Sequence, residues 1–118
     1  MDIKGIQDKK VLVVGSGISG IGAVEALCHA GAVPVLFDSN DKLDPESIRA
    51  KFAQGTDAEI ILGKLPVEVA ESVALVVLSP GVPTDTEFVD GFRGRGIAIW
   101  GEIELAYRMG KGHVIGIT

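Results

Sequence analysis

The run Lys10-Val11-Leu12-Val13-Val14-Gly15-Ser16-Gly17-Ile18-Ser19-Gly20 constrains the fold more than any other stretch of the chain. Its first half is a short, continuous apolar segment, rich in β-branched residues and ended by glycine. That is the pattern of a strand covered on both faces, as in a parallel sheet. Its second half spaces three glycines as G-x-G-x-x-G. Beyond them the apolar period becomes helical: Ile21, Val24, Leu27 and Cys28 share one stripe, and Gly31 stands where a helix stops. A strand that turns through glycine into a helix calls for parallel strands beside it, reached by crossovers.

The rest of the sequence supplies them. Val33-Pro34-Val35-Leu36-Phe37-Asp38 predicts a second strand, with Pro34 near its start, where proline is tolerated. Asp44-Pro45-Glu46 opens a helix to about Gln54, with Asp44 at the N-cap and Pro45 at the first helical position. Glu59-Ile60-Ile61-Leu62 reads as a third strand ending at Gly63, and Pro66 to Ala70 as a helical turn. Ala74 to Leu78 is another buried strand, broken at Ser79-Pro80-Gly81. Thr84 to Phe92 is a helix with the capping-box pair Thr84 and Glu87. Ile97 to Trp100 is a strand, Gly101-Glu102 begins a helix to about Met109, and His113 to Ile117 forms a last strand. This alternation predicts an α/β fold: a Rossmann-like, doubly wound parallel sheet in a single domain over residues 1–118.

Composition narrows the function classes. Eleven Lys and Arg against sixteen Asp and Glu leave a net charge of −5, with no basic cluster, so nucleic acid is not an expected partner. Apolar residues at 47% exclude disorder, yet no apolar run approaches the roughly 20 residues of a membrane span, so no membrane association is expected. Cys28 is the single cysteine, which excludes an internal disulfide framework. With no signal-type apolar segment at Met1-Asp2-Ile3-Lys4, the expectation is a cytoplasmic domain.

The glycine loop is the first candidate site. In such a loop the first glycine, Gly15, allows the tight turn. The second, Gly17, lets a phosphate approach the backbone, and the third, Gly20, lets helix and strand pack closely. Backbone N–H groups and the positive end of the helix dipole then hold a diphosphate without a lysine patch. Asp38, at the end of the second strand, stands where such folds put an acid against a ribose hydroxyl. The alternative is that it caps a turn into Ser39-Asn40-Asp41. Ser79-Pro80-Gly81-Val82-Pro83 follows the fourth strand and so falls at the same carboxyl edge, where open α/β sheets bind ligands; a stiff turn is the plainer reading. Ser79 lacks the glycine-flanked elbow of a nucleophile. Glu102 and Glu104 suit the first turn of a helix electrostatically. His29, His113 and Cys28 show no metal-site spacing; His29 reads as a helix-surface residue, His113 as a strand start and Cys28 as core. Trp100 reads as packing at a strand end. No catalytic set, metal site or P-loop is visible, and the glycine loop with Asp38, taken alone, indicates NAD.

Taken together in this order, Val13 to Gly20, Asp38, Ser79-Pro80-Gly81-Val82-Pro83, Gly101-Glu102-Ile103-Glu104-Leu105 and Val114-Ile115-Gly116-Ile117-Thr118 resemble the N-terminal domain of the MurD-type Mur ligases. The resemblance covers the whole chain. It implies a Rossmann-like domain that holds the UDP part of UDP-N-acetylmuramoyl-L-alanine instead of NAD, within a bacterial enzyme of peptidoglycan synthesis that adds D-glutamate. The Gly17-Ile18-Ser19 backbone and the Ser19 hydroxyl are implied to take the diphosphate. Asp38, Ser39 and Asn40 would surround the uracil, and Ser79, Pro80 and Gly81 would meet the sugar side. Asn40 stands where family members often carry a basic residue. The same resemblance implies central and C-terminal domains beyond Thr118, with a P-loop for ATP and Mg2+ in the first of them. It leaves this chain with no cofactor of its own and no catalytic residue. The alternative is an NAD-binding domain of a dehydrogenase or redox-sensing regulator.

Overall fold

A computed structural model describes residues 8–52, 54–79, 87–101 and 104–105. Among these residues five parallel strands form one sheet: β1 (Lys10–Val14), β2 (Val33–Asp38), β3 (Glu59–Leu62), β4 (Leu75–Leu78) and β5 (Ala98–Gly101). Four helices connect them: α1 (Ile18–His29), α2 (Pro45–Arg49), α3 (Val67–Ser72) and α4 (Glu87–Arg93). The order across the sheet is β3-β2-β1-β4-β5, so the direction of winding reverses at β1, and the crevice between the β1 and β4 ends is the topological switch point.

The apolar runs are continuous because the sheet is covered on both sides. Along each strand alternate residues serve opposite faces. Val11 and Val13 of β1, Leu36 of β2, and Leu75 and Val77 of β4 pack with Val24 and Leu27 of α1 and Ile48 of α2. Leu12, Val14, Val35, Phe37, Val76 and Leu78 pack on the other face with Val89 and Phe92 of α4 and, at its margin, Val69 of α3. Phe88 joins this second layer, stacked on Phe37 at 5.6 Å and edge-on to Phe92 at 5.3 Å.

Pro34 is accommodated by register. Val33 N–H donates to the Lys9 carbonyl, toward β1, so the position of the missing Pro34 N–H faces β3, whose pairing begins only at Val35. Gly31 ends α1 in a left-handed conformation (φ +90°), with the Ala32 N–H bonded to the Leu27 carbonyl at 3.0 Å and the Gly31 N–H to the Cys28 carbonyl at 3.1 Å.

Several elements differ from expectation. The α2 helix stops at Arg49; Lys51 and Phe52 then donate to the carbonyls three residues back, a tightened turn that Ile48, the helix's buried residue, does not need extended. The helical turn after Pro66 runs on to Ser72, and β5 starts at Ala98 and includes Gly101. Cys28 is half-buried at the edge of the helical stripe, because Leu27 takes the position facing the sheet. His29 is exposed in the last turn of α1, and Trp100 is buried. Residues 104–105 are helical, while Thr84, the rest of the expected final helix, His113 and the last expected strand lie outside the described residues.

Candidate functional site

The three glycines of the β1–α1 turn stand in three different physical situations. Gly15 takes φ +105°, a conformation open to glycine at little cost, and turns the chain out of β1. Gly20 faces the turn it follows: a Cβ there would collide with the Gly15 carbonyl oxygen and lie 3.3 Å from the Ser79 hydroxyl. Gly17 has nothing within 4 Å of its Cβ position, so its outer face is open.

Gly17 is also the N-cap of α1 (φ −71°, ψ −174°), with no side-chain cap and no acid in the first turn. N–H groups without an intrahelical partner and the dipole's positive end therefore meet at a glycine whose Cβ position is open. Next to it Ile18 is 91% exposed, the most exposed large apolar side chain among the described residues. Ser19 and Gly20 continue the first turn of the helix; the Ser19 side chain lies outside what is described.

Asp38 closes one flank. The β1–β2 register pairs Val14 with Phe37, which brings the last residue of β2 beside the loop that follows β1. Asp38 Oδ2 accepts the Ser16 N–H at 3.0 Å and the Ser16 hydroxyl at 2.7 Å. Its Oδ1 accepts the Asn40 N–H at 2.9 Å, and Asn40 Oδ1 in turn accepts the Lys42 N–H at 3.0 Å. Partial burial pushes the Asp38 carboxyl upward, but the hydrogen bonds from Asn40 and Ser16 outweigh it and hold the group below its ordinary value. Asp38 thus makes the turn into Ser39 and Asn40, both exposed, and also ties the glycine loop to β2.

Ser79 closes the other flank. Its N–H continues the ladder to the Val14 carbonyl at 3.1 Å, and its hydroxyl donates to the Gly15 carbonyl at 3.5 Å. The fold therefore brings Gly15, Gly17, Gly20, Asp38 and Ser79 to one sheet edge; Pro80 and Gly81 lie outside the described residues. The Ser16–Asp38 pair escaped sequence reasoning. Its signal was a hydroxyl at the first variable position of the loop opposite a strand-end acid. Among the described residues no group of three or more His, Cys, Asp or Glu could hold a metal, and no helix is long and apolar enough to cross a membrane.

Sheet order and glycine turn together define a Rossmann-type α/β domain of the nucleotide-binding kind. A family model described as the Mur ligase MurD-like N-terminal domain matches residues 9–101, and the chain belongs to that family. It is 48% identical over 118 residues to the UDP-N-acetylmuramoylalanine–D-glutamate ligase of Lachnospira eligens, covering 100% of this chain and 25% of that protein. The ligase of the same name from Lachnoclostridium phytofermentans is 46% identical over 110 residues, 93% of this chain and 24% of the relative. That of Alkaliphilus oremlandii is 43% identical over 117 residues, 96% of this chain and 25% of the relative. The chain thus spans about a quarter of the length of these curated relatives. Among solved structures, a shikimate dehydrogenase from Aquifex aeolicus matches with a TM-score of 0.58 over 93% of this chain and 48% of that one. At 17% identity that likeness concerns the fold alone.

Proposed function

We propose that this chain is the domain that holds the UDP moiety of UDP-N-acetylmuramoyl-L-alanine in a bacterial, cytoplasmic ligase that adds D-glutamate during peptidoglycan synthesis. The observation that carries the reading is the open face of Gly17 at an uncapped helix N-terminus, in a chain that belongs to the MurD-like family. The N–H groups of the first turn of α1 bind the diphosphate; backbone donors suit an anion even though the chain is acidic overall. Asp38, Ser39 and Asn40 border the uracil and Ser79, Pro80 and Gly81 the sugar, so the substrate lies along the carboxyl edge from β2 to β4.

In this reading the chain positions substrate and carries out no bond-making step. ATP and Mg2+, which a carboxylate-activating ligase uses, do not fit the described residues: the glycine loop offers Ser16, Ile18 and Ser19 at its variable positions, with no lysine for a β- or γ-phosphate. The chain alone is accordingly expected to release no phosphate from ATP with UDP-N-acetylmuramoyl-L-alanine and D-glutamate present.

Parallel melting titrations with UDP-N-acetylmuramoyl-L-alanine, UDP and NAD test the assignment. Ligand at about 100 times its Kd stabilises by roughly 2.7 kcal/mol. The UDP-linked compound should raise the Tm more than NAD at equal concentration. A shift with NAD alone would overturn the reading in favour of a dehydrogenase-type domain.

A further inference from the structure

We infer that the groove between α3 and α4 is a contact surface whose occupant is a second copy of this chain, docked about a two-fold axis. Val67 and Ala70 of α3 line one side of the groove and Phe88, Gly91 and Phe92 of α4 the other, around a cavity of about 300 Å3. None of these residues belongs to the nucleotide site.

Two observations show a surface shaped for an outside partner. Val67, the first residue of α3, is 67% exposed. A single exposed valine is ordinary, but this one stands at the rim of a groove that includes the edge-on rings of Phe88 and Phe92. Gly91 lies inside α4, where glycine costs about 1 kcal/mol relative to alanine. A Cβ at Gly91 would meet nothing within 4 Å, so no neighbour among the described residues requires a glycine there. The bare backbone instead leaves room for a side chain from outside.

Charge decides what that partner is. Glu71 and Arg95 also line the groove, and neither enters an ion pair among the described residues. Arg95 Nη2 donates to the Ala70 carbonyl at 2.9 Å, and its guanidinium lies 5.7 Å from the centre of the Phe92 ring. The cation is thus fixed beside the residue that precedes Glu71. A partner of one charge sign would meet attraction from one of these groups and repulsion from the other. A surface bearing both is complementary to itself: a two-fold axis sets Glu71 of each copy against Arg95 of the other. The same rotation carries each Val67 toward the opposite groove, where Gly91 leaves space.

Sedimentation velocity of the 118-residue chain over a concentration series tests this. Wild type should show a reversible monomer–dimer equilibrium. Val67→Asp, a change at an exposed position, should weaken dimerisation at least about tenfold by placing a charge in the apolar contact. Glu71→Arg and Arg95→Glu each oppose like charges across the axis and should weaken it by about tenfold as well. An equimolar mixture of those two variants should form a heterodimer with near wild-type affinity, because every pair across the axis is again of opposite sign; that recovery also shows both variants to be folded. A wild-type chain that stays monomeric would overturn the inference. So would a dimer indifferent to Val67→Asp, which would place the contact elsewhere, or a mixture no tighter than the single variants, which would leave the groove to a different protein or domain.

Discussion

Two helix N-termini in this domain solve the same electrostatic problem in opposite ways. At α2 the chain satisfies itself: Asp44 accepts the Glu46 N–H at 3.1 Å and the Ser47 hydroxyl at 3.1 Å, Pro45 removes one donor that would otherwise need a partner, and Glu46 adds negative charge to the first turn. At α1 a glycine stands at the N-cap, no side chain caps it and no acid enters the first turn, although this is the longer helix and has the larger aligned dipole. The Asp38 carboxylate, at the end of the neighbouring strand, is turned onto Ser16 instead. Self-capping marks α2 as structural; the uncapped start of α1 is where the proposed function puts an anion from outside.

The largest effect that should sharpen this contrast is Gly20→Val. Its side chain meets backbone at Gly15, which cannot swing aside as a side chain could, so the cost should be roughly 3 kcal/mol and visible as a lowered chemical-denaturation midpoint. Gly17→Val comes next. With open space around that position the Tm should move little, while UDP affinity falls at least tenfold, about 1.4 kcal/mol; unchanged affinity would reduce the loop to a turn. Asp44→Ala, at the self-capped end, should cost about 1 kcal/mol of stability and leave UDP affinity untouched. A change in affinity there would break the distinction between the two helix starts.

The smallest effect concerns acid. The Asp38 carboxyl is held below its ordinary 3.8, so its contribution is present above that pH and is lost as pH falls through the lower folded value. In urea titrations the stability advantage of wild type over Asp38→Asn should be flat near neutrality and shrink below about pH 4. An advantage that grows toward acid would mean the hydrogen bonds from Ser16 and Asn40 do not stabilise the ionised form.

The sheet was legible because its strands are buried on both faces: Val11 to Val14 and Leu75 to Leu78 have no solvent side to encode, so they read as unbroken apolar runs. The roles of Gly15, Gly17 and Gly20 followed from spacing plus placement between strand and helix. What could not be read was anything fixed by register. Ser16 meets Asp38 only because β1 and β2 align Val14 with Phe37, and a one-residue slip would separate them. The same holds for α2. Its N-cap is local chemistry and was legible, whereas its end depends on Ile48 alone reaching the core.

The central place of β1 has a consequence for how the chain comes to be folded. Its neighbour on one side, β2, follows within a single helix, but β4, on the other side, is made only after β3 and α3. As the polypeptide is synthesised, β1 therefore waits with one flank unpaired until β4 has emerged, a long-range closure of the kind that slows folding. During that interval Val11 to Val14 form an apolar edge open to other chains. Pulse-labelled amide exchange during refolding should find the β1–β2 ladder protected before that of β1–β4, and the period in between is when a nascent chain of this design has most need of a chaperone.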